Sequence, residues 1–175
     1  MAIRNIITKE DDTLRKKCRR VEVFDDKLGV LIDDMIETLK KVDGAGLAAP
    51  QVGILKQIIV IDVGNGPVEL INPEIIKTAG EQREIEGCLS CPDEWGYVKR
   101  PLKLKCRAQN RFGVVKEYRG DGMFARCVCH EIDHLNGRLF IDIADEMIPP
   151  EELEEMRREE TRKAKRAGLK RKKRK

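Results

Sequence analysis

The sequence predicts an α+β protein: antiparallel β-sheets wrapped around a central helix, with an N-terminal helix and a C-terminal helix. Three observations lead there. Apolar residues recur at helical spacing over residues 25–42 and again before residue 137, whereas residues 57–118 break into short β-rich runs. The connections between those runs are too short for crossover helices, so antiparallel pairing is expected. Both histidines of the chain, His130 and His134, fall in the second helical segment, which makes it the chemical centre.

Residues 1–24 read as an irregular arm, with Asp11-Asp12-Thr13-Leu14-Arg15 opening a short helical turn. In the helix over 25–42, Leu28, Leu31, Ile32, Met35, Ile36 and Leu39 repeat at spacings of three and four; Asp25 or Asp26 supplies the N-cap, and Asp43-Gly44 stops it. Residues 44–53 are mostly small, with no strong period. Composition alone makes them a helix stop and a loop. Small residues also let a backbone come close to a ligand, and Gln51 is then the only strongly polar side chain on offer. Without a Lys-Ser/Thr ending the run is not a phosphate loop.

Strands are expected at 57–63, 68–71, 75–85, 97–108 and 114–118, bounded by an Asn65-Gly66 turn, Gly80, Pro101 and Arg111-Phe112-Gly113. The second helix starts near Asp121-Gly122 and stops at Asn136-Gly137. Ile148-Pro149-Pro150 closes a main domain of residues 1–150. Residues 151–175 form a last helix, acids first and bases last as the helix dipole prefers, running into Lys170-Arg171-Lys172-Lys173-Arg174-Lys175.

A chain of 175 residues is long enough to bury a proper core in one domain. Its net charge of +4 hides an asymmetry: residues 151–175 hold twelve Lys/Arg against six Asp/Glu, leaving 23 basic against 25 acidic residues elsewhere. The main domain is slightly acidic and carries a basic tail. Such a tail is usually a solvated end, though an unbroken basic run also binds phosphate backbones. No stretch approaches the roughly 20 apolar residues needed to span a bilayer, and the N-terminus lacks the apolar core of a signal peptide. The expected compartment is therefore cytoplasmic, where the six cysteines serve as free thiols or metal ligands rather than disulfides.

The chemistry concentrates in Cys129-His130-Glu131-Ile132-Asp133-His134. Positions i and i+4 share a helix face, so the two imidazoles can bind one metal ion. Glu131, about 100° round the helix, can reach a water on that ion without being a ligand. This is the H-E-x-x-H pattern, in which the metal lowers the pKa of its water and the glutamate takes the proton. Met123 and Cys127 continue the histidine face as core residues or as the wall of an apolar pocket. No third histidine exists to complete the ligand set. A thiolate is the best remaining candidate, and Glu86-Gly87-Cys88-Leu89-Ser90-Cys91 offers one between predicted strands.

Three segments in this order, Gly44-x-Gly46-Leu47-Ala48-Ala49-x-Gln51, Glu86-Gly87-Cys88-Leu89-Ser90 and His130-Glu131-x-Asp133-His134-Leu135-x-Gly137, give the chain a strong resemblance to the peptide deformylases over residues 1–150. The resemblance implies one divalent metal held by Cys88, His130 and His134, typically Fe²⁺, with Zn²⁺, Ni²⁺ or Co²⁺ as alternatives. It further implies hydrolysis of the N-formyl group from N-formylmethionyl nascent peptides, releasing formate. Glu131 is then the acid–base residue, and the Gln51 amide and Leu89 N–H bind the oxyanion. Gly44, Gly46 and Leu47 line the extended substrate, and Met123 and Cys127 the methionine pocket. Glu86 and Asp133 are expected to orient other groups. In bacterial relatives the C-terminal helix can dock on the ribosome, a use that would suit the basic tail.

Some residues depart from the family pattern. Cys91 replaces a common aliphatic residue and creates Cys88-x-x-Cys91, which elsewhere marks a redox pair or half a zinc ribbon; both readings need a fold context that the sequence does not supply. Cys129, beside His130, is expected to face away from the metal. Trp95 stands where relatives are often basic. Two other functions compete. An H-E-x-x-H peptidase would use a His or Glu as third ligand and would leave Cys88 and Gln51 idle. An RNA-associated protein with a structural zinc would close the site with a fourth ligand, Cys91 or Cys129, and would unfold without metal.

Overall fold

The computed structural model describes residues 2–172. Three helices, α1 (Asp26–Lys41), α2 (Gly122–Leu135) and α3 (Pro150–Lys172), accompany six strands. The strands are β1 (Gly46–Ala48), β2 (Ile58–Ile61), β3 (Val68–Cys88), β4 (Cys91–Gln109), β5 (Val115–Asp121) and β6 (Glu146–Met147). They form one antiparallel sheet in the order β1-β2-β3-β4-β5, with β6 added to β4. The architecture is α+β with antiparallel pairing, as expected. The last three residues of the predicted basic run, 173–175, lie outside the described residues.

Helix α1 begins where Asp25 accepts a hydrogen bond from the Leu28 N–H, the N-cap anticipated from the sequence. Its apolar stripe, Leu28, Leu31, Ile32, Met35 and Leu39, packs on Leu47, Ile58, Val60 and Ile71. The alternate residues of β2, Ile59 and Ile61, point the other way into a second cluster with Leu70, Leu104, Cys106, Ala125 and Val128. Strand β2 is therefore apolar on both faces because it is buried on both, under α1 on one side and α2 on the other. Each fully buried Leu, Ile, Val or Met side chain among these contributes about 1.5–3 kcal/mol relative to exposure. Helix α2 touches β1, β2, β4 and β5, so its two ends and its histidine face are fixed by most of the sheet. Among the described residues, no helix is long and apolar enough to cross a membrane.

Three expectations about the strands are corrected. The separate runs at 68–71 and 75–85 are one strand, β3, bent by irregular pairing near Asn72 and Ile75. Gly80 does not end a strand; it sits within β3 at φ 67°, a conformation that a side chain would strain. Pro101 likewise lies inside β4, opposite Glu81. There β4 has β3 as its only neighbour, since β5 pairs from Lys103 onward and β6 only at Gly96 and Tyr97. A proline without an N–H is tolerated on such an open edge. The small-residue run at 44–53 is also more ordered than a loop, holding β1 and a 3₁₀ turn over Ala49–Val52.

Candidate active site

The long hairpin of β3 and β4 ends in a two-residue turn, Leu89-Ser90, flanked by the paired residues Cys88 and Cys91. This turn carries Cys88 to the histidine face of α2. Cys88 Sγ lies 3.2 Å from His134 Nε2, and the donor atoms of Cys88, His130 and His134 all fall within 4.8 Å of one another. The imidazoles cross at 71° with centroids 5.1 Å apart.

A second partner fixes His130 and leaves one of its nitrogens for a cation, whereas His134 presents Nε2 to Cys88 and has its Nδ1 buried without a hydrogen-bond partner among the described residues. His130 Nδ1 is 2.9 Å from Glu86 Oε2, so a proton on Nδ1 frees Nε2 as a lone pair. Phe140 stacks on the His130 ring at 6.1 Å. Burial, then the neighbouring His130, hold the His134 pKa well below the ordinary value, keeping it in the neutral form a metal requires. Burial opposes the charge on His130 too, but the Glu86 hydrogen bond and Glu131 outweigh it and raise its pKa. One thiol and two imidazoles, nearly buried and converging with few competing partners, form a donor set suited to a borderline-soft divalent metal. The residues fit such an ion.

Beneath this set lies a run of buried charge. Arg100 grips Glu86 with two hydrogen bonds, 2.9 and 3.0 Å, and reaches Asp133 at 2.5 Å. Burial alone would push Glu86 up; His130 and Arg100 overcome it and bring its pKa down to about 2. Glu131 is the opposite case. It is buried with its Oε2 unpartnered among the described residues, and burial raises its pKa to about 7. A carboxyl poised near neutrality can take and return a proton at physiological pH.

Gln51 is almost wholly buried, and its amide has a fixed sense. Oε1 accepts from the Ala48 N–H at 2.8 Å, which turns Nε2 toward Ser90 Oγ at 3.2 Å and Cys88 Sγ at 3.6 Å. A cavity of about 330 Å³ opens over these groups. Gly44, Gly46, Gln51, Cys88, Leu89, Cys127, His130 and Glu131 line it, with Met123 and Trp95. Met123 is half exposed, whereas the Cys127 thiol is buried and donates to the Ala45 carbonyl at 3.3 Å. Gly46 has to be glycine, since a Cβ there would run into the Glu131 carboxylate and the Cys127 sulfur.

The structure thus brings ten of the eleven sequence-selected residues to the cavity or its floor. Leu47 is the exception: its side chain is buried under α1, and only its backbone, as part of the edge strand β1, lies on the cavity side. Cys129 packs in the core beside Cys106 and is not among the converging donors, as expected. Three supporting residues escaped the sequence reading. Ser90 anchors the Gln51 amide, Arg100 clamps Glu86 and Asp133, and Phe140 stacks on His130. The one available signal was a charged Arg100 two residues after the apolar Val98 on a predicted strand, on the same face by alternation.

Comparison with known proteins places this geometry. The sequence matches the family described as Polypeptide deformylase over residues 3–149. It is 59% identical over 142 residues to a peptide deformylase of Alkaliphilus metalliredigens, covering 81% of this chain and 97% of that one. Among solved structures, a peptide deformylase from Legionella pneumophila superposes with a TM-score of 0.80 at 40% identity, covering 95% of this chain and 98% of the other. One from Thermotoga maritima gives 0.81 at 43% identity, covering 83% and 99%.

Proposed function

The chain belongs to the peptide deformylase family, and from that premise we infer that Cys88, His130 and His134 hold one divalent metal ion at which the N-formyl group of a formylmethionyl peptide is hydrolysed. The protein is a metal-dependent hydrolase acting on the formylated N-terminus of newly made polypeptides and releasing formate. When bound, the metal supplies Lewis acidity, polarising the formyl group and acidifying a water. The remaining work falls to side chains and backbone.

Glu131 carries the proton. Its raised pKa and unpartnered Oε2 suit a base that takes a proton from the attacking water and an acid that returns it to the departing amine nitrogen. Gln51 Nε2 and the Leu89 N–H donate to the oxyanion as the formyl carbon becomes tetrahedral; a donor of this kind typically contributes about 3–4 kcal/mol. The Gln51 amide needs no reorientation, because Ala48 and Ser90 already hold it. Strand β1 is the free end of the sheet, so an extended peptide can add to it along Gly44, Gly46 and the Leu47 backbone. Met123 and Cys127 then face the methionine side chain.

Fe²⁺ is the proposed ion in the cell, with Zn²⁺, Ni²⁺ and Co²⁺ as substitutes that the same thiolate and imidazoles accept. Residues 1–150 form the catalytic unit, and 151–175 an appendage. Substrate made on ribosomes argues for a cytoplasmic enzyme. The basic tail is proposed to hold ribosomal phosphates: deleting 162–175 should spare activity on short peptides and weaken salt-sensitive ribosome binding, and unchanged ribosome binding would dismiss the idea.

The single observation that carries the catalytic reading is the buried Glu131, its Oε2 unpartnered among the described residues, beside three converging donors. Formate release from formyl-Met-Ala-Ser, measured with Fe²⁺-loaded protein beside Glu131→Ala, is the direct test. Release that disappears in the variant supports it. No release from wild type with one metal per chain would refute it.

A further inference from the structure

The turn that presents Cys88 holds a second thiol directly across from it. Cys88 and Cys91 are opposed residues of β3 and β4, and opposed residues of an antiparallel pair have Cα atoms about 4.5–5.5 Å apart with side chains on one face. Disulfides bridge Cα separations of about 4.4–6.8 Å. Both thiols are free, and Cys88 packs against the buried cluster that contains Cys91. Cys91 does not belong to the converging donor set, so it is not a spare metal ligand. Access is unequal. Cys88 lines the cavity that opens to solvent, whereas Cys91 is 1% exposed and packs against Leu14, Val98, Leu139 and Phe140. A small oxidant entering by the substrate route therefore meets Cys88 first.

We propose that Cys91 is a resolving thiol for Cys88, so that attack by a hydroperoxide ends in a Cys88–Cys91 disulfide instead of an irreversible oxygen adduct. In the first step the Cys88 sulfur attacks the peroxide O–O bond. One oxygen is transferred to give the sulfenic acid and the other leaves as water or an alcohol; sulfur loses two electrons and the peroxide gains them. In the second step Cys91 Sγ attacks the Cys88 sulfur. The S–S bond forms, the S–O bond breaks, and the hydroxyl leaves as water with the Cys91 proton. Without a neighbouring thiol a sulfenic acid can advance to sulfinic and sulfonic acids, which simple reductants do not reverse. The bridge removes the sulfur from the metal set, so activity should be lost and recoverable together. That activity readout rests on Cys88 being a metal ligand; the mass readout below stands without it.

The test uses the full-length, zinc-loaded chain, zinc being without redox chemistry of its own. Wild type and Cys91→Val are treated with hydrogen peroxide, blocked, and read by intact mass and peptide mapping. Wild type is expected to become two hydrogens lighter with the bridge mapped to Cys88 and Cys91. Zinc and deformylase activity should fall together by more than about tenfold and return after phosphine reduction and zinc addition. Cys91→Val, of similar resting activity, should gain two or three oxygens on Cys88 and stay inactive. Wild type that gains oxygen on Cys88, stays unmodified there at millimolar peroxide, or maps a bridge to another pair overturns the proposal, as does full recovery of Cys91→Val. The wild-type mass decides even if the variant folds poorly. Loss of the deformylase reading would appear separately, as no formate release before any peroxide is added.

Discussion

Replacing Glu131 by glutamine should make the metal-free protein more stable above neutral pH while removing its activity. Burial raises the Glu131 pKa from an ordinary 4.5 to about 7. Between those values the folded chain keeps a proton that the unfolded chain has released. Stability is therefore complete below about pH 4.5 and declines as pH rises through 7. At about 1.4 kcal/mol per pH unit, that interval costs the folded state about 3 kcal/mol by pH 8. Glutamine has the same shape and no charge, so it escapes this cost. Its own amide gives back about 1 kcal/mol through imperfect hydrogen bonding. The net expectation is a gain of about 2 kcal/mol at pH 8 that vanishes or reverses by about 1 kcal/mol at pH 4. Urea unfolding followed by circular dichroism, with a chelator present, measures it at both pH values. A metal cation beside the carboxylate should shrink the gap, and kcat/KM for formyl-Met-Ala-Ser should fall by about 10²–10⁴-fold. A stability difference that is the same at pH 4 and pH 8 would refute the claim that Glu131 is held against a burial penalty.

Arg100→Met leaves the buried Glu86 without its guanidinium and leaves the partly exposed Asp133 with only the more distant Arg138, and should cost about 3–5 kcal/mol in urea unfolding. Metal affinity, read by chelator competition, should also fall about 10–100-fold as Glu86 loses its hold on His130. Gln51→Leu should lower kcat by about 10²–10³-fold with little change in KM, because its amide acts chiefly on the oxyanion. Gly46→Ala puts a Cβ 2.6 Å from Cys127 Sγ, forcing β1 and α2 apart where substrate and Glu131 meet. A loss of about 10²-fold in kcat/KM with unchanged metal content is expected, the scale of a 1 Å misplacement.

The sequence discloses local order well and long-range placement only through chemistry. Helix α1 was legible to within a residue at each end because its stripe, its Asp25 cap and its Asp43-Gly44 stop all agree. The grouping of Cys88 with His130 and His134 was legible because ligand chemistry demands a third donor and the family resemblance implies this thiol; no periodicity links residues 42 positions apart. Strand continuity through Gly80 and Pro101 was not legible, since tolerance of both depends on which neighbour each strand edge has, a tertiary fact. Arg100 was hidden for a related reason. A lone arginine in a strand reads as solvent-facing until the two carboxylates it serves, Glu86 fourteen residues back and Asp133 on another element, are folded against it.

Glu86 and Glu131 show how one small volume yields two carboxylates of opposite character. Both are almost completely buried, and burial pushes both toward the protonated form. What separates them is partners. Glu86 receives Arg100 and His130 at hydrogen-bond distance, which outweighs desolvation and leaves it ionised down to about pH 2. Glu131 faces the cavity with an oxygen unpartnered among the described residues, and burial outweighs the nearby His130 and Arg100, so its pKa rises to about 7. The first is a permanent anion that fixes a ligand; the second can exchange a proton during turnover. Divergent environments for paired titratable groups are the usual means of assigning acid–base roles. Here the assignment rests on Arg100, because without it the same burial would drive Glu86 toward its neutral form and loosen the imidazole it orients.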